Sequence, residues 1–125
     1  TKGPTMAQES RRSIIGLVAL VLCVSVASQL WGWRQEVSIG RDIARAAGPG
    51  DIQMISSDTC VYCRAARRWF SEKGVQFSEC SAERDAACAD RYRALGMPGT
   101  PVIVVKGEAQ LGFNPDRVRQ RLSAG

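Results

Sequence analysis

Hydrophobic and polar positions divide the chain into two unlike parts. From Ser13 to Trp33 no residue is charged, and most positions are Ile, Leu, Val, Ala or Trp. As a helix that run covers about 30 Å, the thickness of the hydrocarbon core of a bilayer. Trp31 and Trp33 stand at its end, where interfacial aromatic residues belong. The pattern predicts a transmembrane helix or signal anchor over 13–33, preceded by an N-terminal tail, 1–12, that ends in Arg11-Arg12. Thr1–Thr5 precede an internal Met6 and have the look of an expression remnant. A small-x-small site at Ser25-Val26-Ala27 keeps cleavage as a signal peptide open. Cys23 follows Leu22, where a lipoprotein signal would have a small residue, and reads as an apolar filler of the span.

Beyond the run, Gln35–Ala47 is polar with scattered Val37, Ile39, Ile43 and Ala44. It reads as a stalk that continues the helix within a linker, 34–50. Gly48-Pro49-Gly50 ends any such helix and marks the expected domain boundary. From 51 onward short β-rich runs alternate with helical ones. Ile52–Ser56 predicts a strand, Tyr62–Lys73 a helix closed by Gly74, Gln76–Cys80 a second strand, and Asp85–Leu95 a second helix closed by Gly96. After Pro101, Val102–Val105 is four β-branched residues in a row and predicts a buried strand. Lys106-Gly107-Glu108 then turns into Ala109–Leu111. Asn114 as N-cap and Pro115 at the first helical position open a last helix. The order is βαβαββα, an α/β domain over 51–125. A core of that size is marginal, so a compact fold or an added cross-link is expected.

Charge changes this picture little. The net charge is +5, and more than half of it flanks the apolar run, on Lys2, Arg11, Arg12, Arg34, Arg41 and Arg45 against Glu9, Glu36 and Asp42. Basic residues beside an apolar span hold it in a membrane. The rest is nearly balanced and has no basic stripe interleaved with aromatics, so no nucleic-acid partner is expected. Basic residues on both sides leave the positive-inside count undecided. A short basic N-terminus feeding a first apolar helix stays inside as a rule and sends the following domain across. The expectation is a single-pass protein of a bacterial inner membrane with its domain in the oxidising periplasm.

The chemistry centres on Cys60-Val61-Tyr62-Cys63, between the first predicted strand and the first helix of the domain. At such a corner the free N–H groups of the first helical turn and the positive end of the helix dipole face the first sulfur and favour thiolate over thiol. The thiolate is the nucleophile of disulfide exchange, and a cysteine one turn on is placed to resolve the mixed disulfide. A C-x-x-C pair is also half of a zinc site, but the chain has no His, and Cys80 and Cys88 are spaced poorly for the other half. Asp58 reads as an N-cap, a role it shares with Thr59, or as a proton shuttle acting through water. Cys80 and Cys88 fall where a folded-back Ser81–Ala87 loop would let them bond, bracing the domain by roughly 2–3 kcal/mol. The alternative is two thiols, with Cys80 buried as a small apolar group.

At this point the residues resemble a family. Cys60-Val61-Tyr62-Cys63 resembles the Cys-Pro-Tyr-Cys site of dithiol glutaredoxins, and Gly99-Thr100-Pro101 resembles the cis-proline loop of the wider thioredoxin superfamily. Gly112-Phe113-Asn114-Pro115-Asp116-Arg117 is similar to the last segment of bacterial glutaredoxin-like proteins. The resemblance covers 51–125 and implies a thioredoxin/glutaredoxin-like fold with a central four-stranded mixed sheet, preceded by the transmembrane helix. It implies that Cys60 attacks and Cys63 resolves, with Tyr62 lining the site. It further implies that Pro101, if cis, lies against the disulfide and leaves the Thr100 backbone to pair with a substrate chain as an added strand. Arg64 and Arg67 would offer charge to a glutathione carboxylate, or form a solvated helix face.

Val61 stands where the family has Pro, and Phe113 and Pro115 stand where glutathione users carry small or acidic residues. Glutathione is thus one candidate reductant, beside a thioredoxin-reductase-like or membrane reductase. No permanently bound cofactor and no metal are expected. The expected function is a membrane-tethered thiol–disulfide oxidoreductase acting on protein or small-molecule disulfides and dithiols. The alternatives are a thioredoxin-fold adaptor whose cysteine pair is structural, and a protein handling copper or zinc through Cys60 and Cys63.

Overall fold

The structure, a computed structural model, describes residues 6–124. The residues read as an expression remnant, Thr1–Thr5, lie outside the described ones. Contacts divide the chain into two compact units, Thr1–Glu36 and Val37–Gly125. The first unit is helical over its described length, within helix α1 (Met6–Ala46). Its apolar side chains, Leu17, Val21 and Trp31 among them, are exposed. This helix is long and apolar enough to cross a membrane.

The second unit carries the last turns of α1, then β1 (Ile52–Ser56), α2 (Val61–Glu72), β2 (Ser78–Ser81), α3 (Ala86–Leu95), β3 (Val102–Val105), β4 (Glu108–Leu111) and α4 (Pro115–Ala124). The strands form one mixed sheet in the order β2-β1-β3-β4. β1 runs parallel to β2 and antiparallel to β3, and β4 returns antiparallel beside β3. This is the thioredoxin/glutaredoxin-like fold. Two residues, Lys106 and Gly107, make the hairpin turn, both with positive φ (48° and 86°). That geometry matches the right-handed twist of the paired strands, and it draws Glu108 into β4, one residue earlier than the sequence pattern indicates.

Period-two alternation supplies a core on each face of the sheet. Ile52 and Met54 of β1 and Ile103 and Val105 of β3 pack with Ala66 and Phe70 of α2 and Val118 and Leu122 of α4. Ile55, Val102 and Val104 point the other way and pack with Cys88, Tyr92 and Leu95 of α3. With α2 and α4 on one face and α3 on the other, β3 is buried on both sides, as its unbroken run of β-branched residues requires.

One segment differs from its reading as a stalk. Ile43 is fully buried in the first core together with Ala47, with Ile39 and Ala44 packed against it. Gly40 is buried as well, and a Cβ there would come within 2.8 Å of the Lys73 side chain. The contact boundary therefore falls between Glu36 and Val37, ahead of the Gly48–Gly50 break.

Candidate active site

The corner between β1 and α2 builds the site. Ser56 ends β1 buried, and four residues later Cys60 caps α2, in extended conformation with φ −82° and ψ 109°. The cap is Cys60 itself, in place of Asp58 or Thr59: its Sγ accepts the Cys63 N–H at 3.0 Å. A sulfur held by a first-turn N–H at the positive end of a helix is stabilised as thiolate. Cys60 and Cys63 are joined as a disulfide, with Cα atoms 5.2 Å apart. The two sulfurs differ in access, because Cys63 is fully buried while Cys60 is partly exposed.

The Thr100–Pro101 peptide is cis, and Pro101 is fully buried. Two bonds hold this loop: the Ser57 and Thr100 hydroxyls meet at 3.1 Å, and the Gly112 N–H donates to the Pro101 carbonyl at 2.8 Å. Tyr62, Trp69, Thr100, Pro101, Leu111 and Phe113 line a groove of about 600 Å³ beside the site. Tyr62 is 76% exposed at its rim. Phe113 meets Trp69 at a tilt and Phe70 edge-on, with centroids 5.2 and 4.9 Å away, so it forms the groove's wall.

A second, polar hollow of about 290 Å³ lies on the β2 side and is lined by Ser57, Asp58, Arg64, Arg67, Glu79 and Arg84 among others. Arg67 is engaged there. Its Nε donates to both Glu79 carboxylate oxygens, at 3.1 and 2.8 Å. The Arg67 guanidinium holds the Glu79 carboxyl below its usual pKa, and Glu79 raises that of Arg67 in return. Asp58 accepts from Arg84 Nε at 2.8 Å and from the Ser81 hydroxyl at 3.2 Å. The hydrogen bond from Arg84 is the main reason its carboxyl also lies below the ordinary value. Asp58 is thus not the N-cap. Of the two arginines singled out in the sequence, Arg64 has no ion-pair partner among the described residues.

Cys80 and Cys88 are bonded, with Cα atoms 6.1 Å apart. Among the described residues no cluster of three Cys, Asp or Glu side chains forms a metal-binding set. Ser57, Trp69, Glu79, Arg84 and Leu111 join the site only in three dimensions, through strand register and loop return, and no sequence spacing marks them.

A cysteine-capped helix beside a cis-proline loop on a β2-β1-β3-β4 sheet is the arrangement that sequence comparison also points to. The glutaredoxin family profile matches residues 52–110. Residues 52–110 are a glutaredoxin-like domain of the thioredoxin superfamily. Glutaredoxin-like protein NrdH of Escherichia coli strain K12 is 28% identical over 69 residues, which cover 55% of this chain and 85% of that protein. An uncharacterised glutaredoxin-like 8.6 kDa protein in the rubredoxin operon of Clostridium pasteurianum is 28% identical over 64 residues, covering 50% of this chain and 85% of the relative. The solved structure of E. coli NrdH-redoxin, described as a glutaredoxin-like protein with a thioredoxin-like activity profile, superimposes with a TM-score of 0.50 at 28% identity, covering 55% of this chain and 91% of that one. A point mutant of the thioredoxin-like protein BC3987 shares the fold with a TM-score of 0.53 at 24% identity, covering 59% and 96% of the two chains. The glutaredoxin-like domain and its C-x-x-C pair support thiol–disulfide redox chemistry.

Proposed function

We propose that this protein is a membrane-tethered thiol–disulfide oxidoreductase in which Cys60 attacks and Cys63 resolves. One observation carries the reading: the partly exposed Cys60 sulfur accepts an N–H bond at a helix N-terminus while its partner, Cys63, is fully buried. In the reducing direction the Cys60 thiolate bonds to one sulfur of a substrate disulfide, and the other substrate sulfur departs as thiolate and takes a proton. The Cys63 thiol gives up its proton and attacks Cys60 Sγ. That closes the internal disulfide and releases the second substrate sulfur, so two electrons pass from the pair to the substrate. Residues 13–33 hold the protein in a bacterial inner membrane, with the domain on the oxidising side.

Arg67 is occupied by Glu79, so of the two arginines only Arg64 is left to meet a glutathione carboxylate. Together with the Phe113 wall and the thioredoxin-like profile described for NrdH-redoxin, this favours a protein reductant of the thioredoxin-reductase or membrane type over glutathione. The apolar groove suits an extended protein segment, paired along the Thr100 backbone and seated against Tyr62 and Leu111.

Titration in defined thiol/disulfide buffers, with alkylation and mass mapping of each cysteine, tests the assignment. A midpoint for Cys60–Cys63 between about −120 and −270 mV lies among exchange catalysts, whereas a pair still oxidised below about −300 mV is a structural bridge. The second outcome would bring the adaptor reading forward.

A further inference from the structure

The loop that delivers Cys60 is held by a second loop, and that second loop is closed by the other disulfide. The Ala82 N–H donates to the Ser56 carbonyl at 2.9 Å, and the Ser56 hydroxyl donates to the Cys80 carbonyl at 3.3 Å. Ser81 and Arg84 both donate to Asp58 Oδ1, while the Asp58 N–H donates to Glu83 Oε2 at 3.4 Å. Residues 82–85 have no strand or helix of their own. They run from β2, where Cys80 stands opposite Ile55, to the first turn of α3, where Cys88 is 4% exposed. The Cys80–Cys88 bond closes this return, and the return carries Arg84, which meets Asp58.

Asp58 matters because its carboxylate lies two residues before Cys60. A negative charge there opposes formation of the Cys60 thiolate, and a guanidinium bonded to it removes that opposition. The other charged groups of the hollow are Arg64 and Arg67 from α2 and Glu79 from β2, with Glu83 from the loop bonded to the Asp58 N–H. Arg67 is taken by Glu79. Arg84 is therefore the cation bonded to Asp58, on a side chain 75% exposed and positioned by a short tied loop. An exposed ion pair of this kind survives only when its partners are held in place, since its own net strength is small.

We propose that the Cys80–Cys88 disulfide is a redox-sensitive switch on the exchange site: closed, it holds Arg84 on Asp58 and keeps Cys60 reactive, and opened, it releases Arg84 and slows Cys60. The inference rests on the assignment of Cys60 as the attacking thiolate. A dithiol opens the switch. One of its thiolates attacks Cys80 Sγ, the more accessible sulfur, which lines the open hollow, and Cys88 leaves. The second dithiol sulfur then closes the reagent's own disulfide and frees Cys80. Two electrons and two protons end on Cys80 and Cys88. Arg84 acts here as a positioning residue.

The test is the rate of Cys60 alkylation by iodoacetamide near pH 6, resolved by mass mapping, in the full chain held in detergent micelles. In dithiol buffers strong enough to reduce Cys60–Cys63, the rate falls as Cys80–Cys88 opens. R84Q and the C80S/C88S double substitution each slow alkylation by about threefold, the change for a thiol pKa raised by about half a unit. Combined, they slow it no further, because both act through one contact. In a D58N background neither has an effect. The proposal is overturned if R84Q leaves the rate unchanged, if the two effects multiply, if they persist in D58N, or if Cys80–Cys88 stays closed in every buffer that leaves the domain folded. R84Q and D58N keep both disulfides and decide the matter should the double substitution fail to fold. Faster alkylation of Cys63 than of Cys60 in the unsubstituted protein would instead overturn the exchange mechanism itself, a result distinct from the others.

Discussion

At the scale of single residues, the proposed division of labour between Cys60 and Cys63 rests on access and on one N–H bond. Cys63→Ser leaves the attacking thiolate but removes the resolver, so the mixed disulfide accumulates; Cys60→Ser leaves a buried thiol that traps nothing. Mass spectrometry after incubation with a disulfide-bonded peptide reads both outcomes, and equal trapping by the two variants would sink the assignment. Glu79 makes a prediction of another kind. Its carboxyl is held below the ordinary value by Arg67, so the unfolded chain takes up its proton first as pH falls. The stabilisation is fully present above the unfolded value of about 4.3 and is lost as pH drops through the lower folded-state value. Urea unfolding of the domain from pH 7 to 3 should therefore show Glu79→Gln less stable by about 0.5–1 kcal/mol near neutrality, with the gap closing in acid. A gap that does not change with pH contradicts the pairing. The cysteine motif and Thr100-Pro101 are local and can be read from the sequence. The engagement of Arg67 depends on the strand partnership that brings Glu79 across from β2, which no spacing reveals.

Among elements, the end of α1 carries the lesson. Its sequence from 37 to 46 looks like a solvated stalk because its apolar residues are few. Ile39, Ile43 and Ala44 nonetheless join the core cluster that holds residues of α2 and α4, with Ile43 fully buried and Asp42 3.7 Å from Arg119. A stripe this narrow is not distinguishable from noise until the partner helices are known. The strands and helices after 51 were legible because period-two alternation, Gly74 and Gly96 past helix ends, and the Asn114-Pro115 start are all local signals. For Ile43→Ala, loss of a core side chain predicts about 2–4 kcal/mol of destabilisation by denaturant titration. A domain begun at 51 should lose at least as much relative to one begun at 37. Equal midpoints for the two would show that the segment is a tether only.

For the whole molecule, the question is what the exposed apolar length of the first unit is for. A contiguous apolar surface of that extent is not left in water by a soluble protein, and among the described residues its side chains are exposed. Burial in a bilayer satisfies it, since an α-helix meets its own backbone hydrogen bonds and asks nothing of the lipid. The full chain should accordingly stay with bacterial membranes through alkaline carbonate washing, and a chain begun at 37 should be released to the supernatant. Sidedness then follows from chemistry the protein already carries. With the domain in the periplasm, a maleimide that cannot cross membranes labels Cys60 in intact cells after mild reduction. With the domain in the cytoplasm, it labels Cys60 only once the cells are broken, and the exchange pathway would have to run in a reducing compartment. A disulfide at Cys80–Cys88 weighs toward the first arrangement, because such a bond persists where the surroundings are oxidising.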